Sequence, residues 1–437
     1  MIMALTHNLR RLALAAVAAI ALTAPAEEWD LQRCIDYAVA NNIDIARYRL
    51  RAASADQDVT DARDRFLPTL GAYGSQNFSF GRGLTAENTY ANRNTASTSF
   101  GASLQLPLFQ GLAGIRRMDY AKANLAAVLE QAEAAKDDLT LNVIAAYLQA
   151  LYSSEVSAIA RGRLAISRAD MERTEALVAA GRVAELDLTQ ARAQVAQDEL
   201  SVVTAAGDSA LAVLDLTQML NLPSARNFEV VPLADESPLP MSADEVFAAA
   251  MGHNHSLRAA ELGVVAAERN ISLARTGYIP TLSFNAGIGT NYYRTSGVAN
   301  EGFGPQMRHN FSQSVGFSLN VPIFDAFATR NSLRRANIAH LEAELQLDDS
   351  RNALFKAINQ AHTRAVTAIR GRSAAGVAVE SSRAAFEAMQ TKYELGRANA
   401  TELEKAKNDY TNALTEAART KYEAILRTRI LNFYAGL

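Results

Sequence analysis

The sequence is poor in cysteine and histidine. Its one cysteine, Cys34, excludes an intramolecular disulfide, and the charged Arg33 directly before it argues against lipoprotein processing. Six histidines are scattered along the chain. The only close pair, His253 and His255, would point apart on a helix and makes a poor pair of metal ligands. The sequence therefore predicts neither a metal site nor a cofactor.

A strong charge of one sign and long hydrophobic runs are also lacking. The chain has 43 basic and 46 acidic residues, which gives no electrostatic basis for a nucleic-acid partner. No phosphate-binding loop or nucleophile motif occurs in a fitting context, so we expect no enzyme. After Glu27, no apolar run approaches the length of about 20 residues that a spanning helix needs. A membrane-spanning part of the mature chain would therefore be a closed β-barrel.

The N-terminus has the features of an export signal. Arg10 and Arg11 precede an apolar stretch that ends at Thr23, and small residues occupy the cleavage-site positions before Glu27. An apolar stretch of this length is too short for a membrane anchor. The sequence therefore predicts a signal peptide over residues 1–26.

The most informative feature is an internal duplication. Three blocks recur in the same order and at a nearly constant spacing, which makes chance an unsatisfactory explanation. The blocks begin at Ala62, Gly101 and Ser167, and they return at Ala274, Gly316 and Ser382. We predict a first copy over residues 27–220, a connector over 221–242 with one short strand near Phe228, and a second copy over 243–437.

Each copy contains two stretches that alternate between apolar and small polar residues. This period-two pattern predicts strands of about ten residues with one apolar and one polar face. A soluble sandwich and a transmembrane barrel both fit the pattern, and in a barrel the apolar face would contact lipid. The predicted lipid-facing residues are Phe100, Leu104, Phe284, Ile288, Phe317 and Leu319. Polar loops are expected between the paired strands, over residues 82–94 and 296–310.

Four strands cannot close a bacterial outer-membrane barrel, because the smallest have about eight. Copies of the chain would therefore have to pool their strands.

The remaining sequence predicts long helices. One helix is expected from Trp29 to Arg65, and helices without proline are expected over about residues 116–180 and 331–395. Each of the latter two would run about 100 Å, a length typical of coiled coils. Return helices follow, and in the first copy the predicted apolar seam includes Leu186, Leu200 and Val203. A solvated antiparallel bundle and the wall of a tube both fit.

Two short features interrupt or mark these helices in both copies. Glycine at Gly181 and Gly396 predicts the end of each long helix, and Arg182 and Arg397 follow directly. Arginine and glutamate four residues apart share a helix face and can form a weak ion pair. Such pairs occur before each turn, at Arg168 and Glu172 and at Arg383 and Glu387. A solvated surface pair and a functional role both remain open for them.

Several motifs in this order resemble TolC-like outer membrane efflux proteins over essentially the whole mature chain. The residues that carry the resemblance are Leu67–Leu70, Leu106–Phe109, Ala385–Gly396 and Thr401–Leu403. The resemblance implies long coiled-coil helices plus a transmembrane β-barrel. Three chains would contribute four strands each to a twelve-stranded barrel, and their helices would form a tunnel across the periplasm. Many members have a longer C-terminal segment, so a thinner girdle around the tunnel is expected.

The resemblance also implies partners and sites. The homotrimer would sit in outer membrane lipid and dock a periplasmic adaptor driven by an inner-membrane pump of the RND or ABC type. The turns at Gly181–Arg182 and Gly396–Arg397 would meet the adaptor. Members close their tunnel near these turns, mainly through the second-copy helices. The expected gate residues are Glu387, Arg383 and Tyr393, with Glu172 and Arg168 as weaker candidates.

Two functional questions stay open at the level of sequence. The transported substrate is chosen mainly by the pump, so drug efflux, protein secretion and metal export cannot be separated. A periplasmic coiled-coil scaffold or adhesin without a pore is the alternative from a different class.

Overall fold

The structure is a computed structural model that describes residues 27–84, 88–223, 228–233 and 241–437. The predicted signal peptide lies outside the described residues. The chain divides into two compact units. The helical unit contains the residues up to 49 together with 131–257 and 351–437, and the strand unit contains 50–130 and 258–350.

The order of elements repeats between the two copies. The helices are α1 (Leu31–Asn41), α2 (Ile43–Asp64), α3 (Ala113–Ala179), α4 (Glu185–Met219), α5 (Ala243–Ala250), α6 (His255–Arg275), α7 (Phe303–His309), α8 (Ala328–Glu394) and α9 (Ala400–Ala435). The strands are β1 (Glu27–Trp29), β2 (Thr69–Ser79), β3 (Arg82–Leu84), β4 (Tyr90–Asn92), β5 (Thr95–Phe109), β6 (Phe228–Val230), β7 (Thr281–Thr295) and β8 (Ser312–Asn320). The two predicted long helices are confirmed as α3 and α8, with 67 residues each.

The predicted single helix from Trp29 to Arg65 is wrong, because the chain leaves helical geometry at Asn42. The backbone of Asn42 is extended, and its side-chain oxygen accepts a hydrogen bond of 2.8 Å from the N–H of Asp44. In the second copy, the side-chain oxygen of Asn254 accepts a bond of 2.8 Å from the N–H of Leu257. The repeated asparagine therefore starts a new helix in both copies by capping it.

The expectation of no apolar run of spanning length after Glu27 also needs correction. By length and composition, α3 and α4 each contain a stretch apolar enough to cross a membrane. Part of this apolar character faces the core of the helical unit, where Tyr147 and Leu148 of α3 and Leu216 of α4 are almost completely buried.

The strand unit is built around a four-stranded antiparallel sheet in the order β2-β5-β7-β8. Its strands are nine to fifteen residues long, and β5 and β7 exceed the predicted ten. The outer strands β2 and β8 each pair on one side only within the described residues. All four strands join helices at the same end of the sheet, where Thr69 pairs with Gln105 and Thr281 pairs with Asn320.

The two segments predicted as polar loops are partly structured. In the first segment Arg82–Leu84 and Tyr90–Asn92 pair as the antiparallel strands β3 and β4, and residues 296–310 contain α7. The side chain of Gln306 orders the second segment, because it accepts a hydrogen bond from the N–H of Tyr293 at 2.8 Å and donates to the Tyr293 carbonyl at 3.0 Å. Sequence polarity alone did not reveal this long-range pairing.

The core of the helical unit contains the short strand predicted in the connector. β6 pairs in parallel with β1, and the ring of Trp29 stacks on Phe228 at 5.3 Å. The buried Tyr147 hydroxyl donates to the Trp29 carbonyl at 2.9 Å and accepts from the Val231 N–H at 3.0 Å. Burial raises the pKa of Tyr147 to about 12, so this hydroxyl keeps its proton and its donor role.

The predicted seam on α4 does not pack against another helix within one chain. Leu186, Leu200 and Val203 are exposed. The residues of α4 that are buried are Leu188, Val195, Asp198, Ala205, Ala212, Leu216 and Thr217. The buried face therefore includes a carboxylate, Asp198, among apolar side chains.

Candidate functional site

The register of the sheet brings all six predicted lipid-facing residues onto one face. Directly paired residues of an antiparallel sheet lie on the same side. Leu104 pairs with Ala286, and Phe284 pairs with Phe317, with their rings 5.4 Å apart. An even number of positions separates Phe100 from Leu104 on β5, Ile288 from Phe284 on β7, and Leu319 from Phe317 on β8. Each of these residues therefore lies on the same face as its neighbour. Phe317 is 70% exposed, so this apolar face lacks a covering layer in the single chain.

The opposite face carries small and polar residues. Ser103 pairs with Gly71 and Gly287, and Ser283 pairs with Ser318. The remaining positions of this face in β5, β7 and β8 are serine, threonine, asparagine, glutamine, glycine, Tyr293 and one proline. A sheet with one uncovered apolar face and one polar face can separate lipid from water.

The predicted turns at Gly181 and Gly396 are helix ends. Both glycines have a left-handed backbone, with φ of 69° and 68°. The N–H of Arg182 donates to the Leu177 carbonyl at 2.9 Å, and the N–H of Arg397 donates to the Lys392 carbonyl at 2.8 Å. These bonds satisfy carbonyls that a helix end leaves without a partner. We call Gly181–Arg182 and Gly396–Arg397 the helical tips, and both arginines are exposed.

The helices after the tips begin with side-chain caps. In the second copy, Asn399 and Glu402 form a reciprocal pair, since each side chain accepts a hydrogen bond from the other's backbone N–H, at 2.9 and 3.0 Å. In the first copy, the carboxylate of Asp187 accepts from the N–H of Ala184 at 3.2 Å. The tips are therefore short, well-defined connections between long helices.

The arginine–glutamate pairs predicted four residues apart do not form, which corrects that expectation. Arg168 instead binds Glu199 of α4 at 2.7 Å, and Arg383 binds Glu380 at 3.1 Å. Glu172 and Glu387 lie on exposed positions. The i, i+4 spacing permitted a pair, but other carboxylates lie closer to both guanidinium groups.

Tyr393 is the gate candidate that contacts the other copy. The guanidinium of Arg173, on α3, lies 5.8 Å from the centre of the Tyr393 ring. Arg173 also donates to the carboxylate of Glu394 at 3.2 Å. The two hairpins of the helical unit are thus linked beside the tips. Tyr393 also lines a cavity of about 450 Å³ together with Asp170, Asp187 and Thr401.

A buried polar cluster that the sequence analysis did not identify lies next to this cavity. We define it as Arg163, Ser167, Asp198, Glu404 and Lys407. Lys407 Nζ lies 2.8 Å from Ser167 Oγ and 2.5 Å from a carboxylate oxygen of Glu404. The Ser167 hydroxyl donates to Asp198 at 2.5 Å, and Arg163 Nε lies 2.8 Å from the other Asp198 oxygen.

The buried polar cluster contains two cations and two anions, so its charges balance. Asp198 is 1% exposed and Lys407 is 2% exposed. A charge this deeply buried is tolerated only when it is paired and hydrogen-bonded. The nearby Asp170 is half-buried, and this burial raises the pKa of its carboxyl group, an effect that Lys407 partly offsets. The cluster joins α3 and α4 of the first copy to α9 of the second.

One sequence signal for the cluster was present. Lys407 follows Leu403 by four residues, so a charged residue shares a helix face with an apolar one. The duplication gave no further help, because the cluster is not repeated. In the register that aligns Ser167 with Ser382, the position of Asp198 is taken by Ala413 and that of Arg163 by Ala378.

No metal-binding group of side chains accompanies these features in the described part of the chain. Within residues 27–84, 88–223, 228–233 and 241–437, no group of three or more histidine, cysteine, aspartate or glutamate side chains could hold a metal ion. The features that stand out are the two-faced sheet, the helical tips and the buried polar cluster.

Comparisons with known proteins agree with this architecture. The profile of the family described as "Outer membrane efflux protein" matches residues 34–222 and 246–436. The outer membrane protein TolC of Escherichia coli is 25% identical over 86% of this chain and 77% of its own length. Protein CyaE of Bordetella pertussis is 26% identical over 94% of this chain and 85% of its own length. A membrane protein from Pseudomonas aeruginosa has a solved structure with a TM-score of 0.75 and 22% identity, and the match covers 93% of each chain.

The fold is therefore that of the TolC-like channels, in which long helices are combined with a β domain. Because the family profile covers most of the sequence, the chain belongs to the outer membrane efflux protein family. It is an outer membrane protein, as its relatives are. The family is a class of channel proteins and not of enzymes.

Proposed function

We propose that this outer membrane efflux protein is the exit channel of a tripartite efflux or type I secretion system. The single observation that carries the proposal is the four-stranded sheet. It has one uncovered apolar face and one polar face, and within the described residues each of its two edge strands has one neighbour. In a family member, such a sheet is suited to form part of a membrane pore. A coiled-coil scaffold without a pore would have no use for the uncovered face.

The proposed assembly is a homotrimer with a barrel of twelve strands. Edge strands expose unpaired N–H and C=O groups, and closure into a barrel removes them. β2 of one chain would pair with β8 of the next. Phe100, Leu104, Phe284, Ile288, Phe317 and Leu319 would then contact lipid. The polar face would line a water-filled lumen that small molecules or proteins can cross.

The long helices of both copies would form the tunnel wall. We assign residues 27–220 and 243–437 to the two repeats and residues 221–242 to a connector. The exposed apolar residues Leu186, Leu200 and Val203 would be covered by a neighbouring chain, which explains why the single chain buries a different face of α4.

The helical tips would dock a periplasmic adaptor, which connects the channel to an inner-membrane pump of the RND or ABC type. Arg182 and Arg397 are exposed beside left-handed glycines, so they are available to a partner. The contacts of Arg173 with Tyr393 and Glu394, together with the buried polar cluster, would hold the two hairpins of each chain together when the channel is closed. Glu387 and Arg383 would act at the same level, facing a neighbouring chain or the lumen.

The oligomeric state tests this proposal first. Native mass spectrometry of the detergent-solubilised protein should give a trimer, because twelve strands require three chains. A stable monomer that retains its full β-content would contradict the proposal.

A further inference from the structure

The end of the sheet that joins the helices combines exposed apolar side chains with arginines. Beside the strand ends, the side chains of Ile323 and Phe324 are 93% and 73% exposed. We call the following exposed apolar residues the junction collar: Leu67, Leu108, Leu112, Ile323, Phe324 and Phe327. Because the four strands meet their helices at one end of the sheet, the collar belongs to that end.

The backbone holds parts of the junction collar in an unfavourable conformation. Leu112 and Phe327, at matching places in the two copies, have left-handed φ values of 66° and 64°. Such a conformation is unfavourable for a non-glycine residue and persists where the surrounding structure imposes it. Here it accompanies large apolar side chains that remain exposed.

Arginines lie directly beyond the collar on the helices. They are Arg65, Arg116, Arg117, Arg330, Arg334 and Arg335. Arg116 lies 3.5 Å from Asp119, and the guanidinium of Arg330 lies 5.6 Å from the Phe327 ring. The nearby Asp325 is already engaged, because its carboxylate accepts bonds from the N–H and the hydroxyl of Thr329 at 2.8 and 2.5 Å.

Arg65 and Arg117 are brought together by close packing between α2 and α3. The Phe66 ring lies so close to Gly114 that a Cβ there would approach the ring to 2.6 Å. The amide of Gln110 also donates to the Arg65 carbonyl at 2.7 Å. Burial, followed by the charge of Arg65, lowers the pKa of Arg117. Within the described residues, neither guanidinium has a carboxylate within ion-pair distance.

Two arginines that lack an ion-pair partner within the described residues, beside exposed apolar side chains, match the chemistry of an anionic lipid. Arginine binds phosphate oxygens through paired N–H donors, and exposed apolar side chains beside it suit acyl chains. We propose that this junction binds an anionic phospholipid, with Arg65 and Arg117 on its phosphate and the junction collar against its acyl chains. The inference rests on the lipid-facing sheet of the proposed function. The inference adds that the end of the sheet next to the helices prefers lipids with an anionic headgroup.

The test measures which lipids stay with the purified protein. Full-length protein is inserted into phosphatidylcholine vesicles that contain a minor fraction of phosphatidylglycerol, extracted in mild detergent, and analysed for the ratio of the two lipids. Wild type should enrich phosphatidylglycerol. In the variant Arg65→Gln/Arg117→Gln, the ratio of phosphatidylglycerol to phosphatidylcholine should fall about fivefold for each arginine removed. This is the effect expected for a basic side chain near an anionic surface.

Two further variants make the result specific. Arg364→Gln/Arg370→Gln removes the same charge from exposed positions of α8 in the helical unit, and it should keep the wild-type ratio. Arg65→Lys/Arg117→Lys keeps the charge without the planar donors and should give an intermediate ratio. An unchanged ratio in the Arg65→Gln/Arg117→Gln variant, or an equal loss in the α8 variant, would overturn the inference.

The outcome also separates this inference from the proposed function. A protein that inserts and conducts ions but shows no preference for phosphatidylglycerol contradicts only the headgroup site. A protein that inserts into neither kind of vesicle contradicts the lipid-facing sheet as well.

Discussion

Lys407 and Ser167 lie 240 positions apart in the sequence, yet Lys407 Nζ donates a hydrogen bond of 2.8 Å to Ser167 Oγ in the interior of the helical unit. This bond connects the last helix of the second copy to the long helix of the first. Because the neighbouring Glu404 and Asp198 are paired with the same two groups, the contact belongs to a balanced set of charges. We expect it to determine how firmly the two hairpins are held together beside the tips.

The first prediction concerns this contact. Lys407→Met keeps much of the side-chain volume but leaves Glu404 and Ser167 without their cation, so it should lower the unfolding temperature. A double-mutant cycle with Ser167→Ala should give a coupling free energy of about 0.5–3 kcal/mol, as expected for residues in one network. Thermal unfolding followed by circular dichroism measures it. Lys405→Met, at an exposed neighbouring position, is the control and should have little effect.

A coupling free energy of zero would mean that Lys407 and Ser167 contribute independently. The members of the buried polar cluster would then stabilise the protein independently of one another, which would refute the role of the cluster in holding the hairpins together.

The second prediction concerns the apolar face of the sheet. Leu319→Arg places a charge on the face assigned to lipid and should impair assembly, at a cost of about 2–4 kcal/mol near the middle of the membrane. Ser318→Arg, one residue away on the polar face, should be milder because its side chain reaches water. Heat-modifiable migration of the membrane fraction on gels measures assembly. Equal tolerance of the two variants would argue against a membrane barrel.

The third prediction concerns the helical tips. Arg397→Glu reverses the charge at an exposed tip and should abolish export, because the adaptor would lose a polar contact. Trimer formation and membrane insertion should remain normal, since Arg397 makes no side-chain contact that the fold needs within the described residues. Export is measured as the accumulation of a fluorescent efflux substrate in cells. The exposed Arg370→Glu serves as the charge-matched control, and normal export by Arg397→Glu would remove the tip from the docking surface.

The fourth prediction concerns the gate. If Glu387 faces the lumen, three-fold symmetry brings three carboxylates together, and such a ring favours cations. Glu387→Gln should therefore weaken cation selectivity or raise single-channel conductance while the trimer persists. Glu342→Gln removes a carboxylate that is also exposed on α8 but lies outside the gate candidates, and it should leave selectivity unchanged. Unchanged conductance, selectivity and antibiotic leak in Glu387→Gln would identify Glu387 as a solvated surface residue.

The features that the sequence predicted well are those that depend on local pattern. Strict alternation around Phe100 and Phe284 predicted strands whose apolar residues share one face, because the side-chain period of a strand is two. The left-handed glycines Gly181 and Gly396 marked both helix ends, since glycine adopts that conformation at low cost. The break at Asn42 could have been found too, because the same asparagine recurs as Asn254 and asparagine is a good helix cap.

The features that the sequence analysis missed depend on packing between distant segments. Arg168 was expected to pair along its own helix, but Glu199 on the returning helix lies closer. The buried face of α4 contains Asp198, which is compatible with burial only because Ser167 and Arg163 reach it from another helix. Periodicity identifies a face of a helix but does not tell which neighbour covers it.

The central claim is that this chain forms a channel, and recording ionic current across a planar lipid bilayer tests it most directly. The purified trimer should produce discrete, stable conductance steps, because the polar face of the sheet would line a continuous aqueous path. Arg47→Gln, which removes an exposed ion pair with Asp44, should conduct like wild type. A trimer that inserts into the bilayer and yet carries no current would contradict the account.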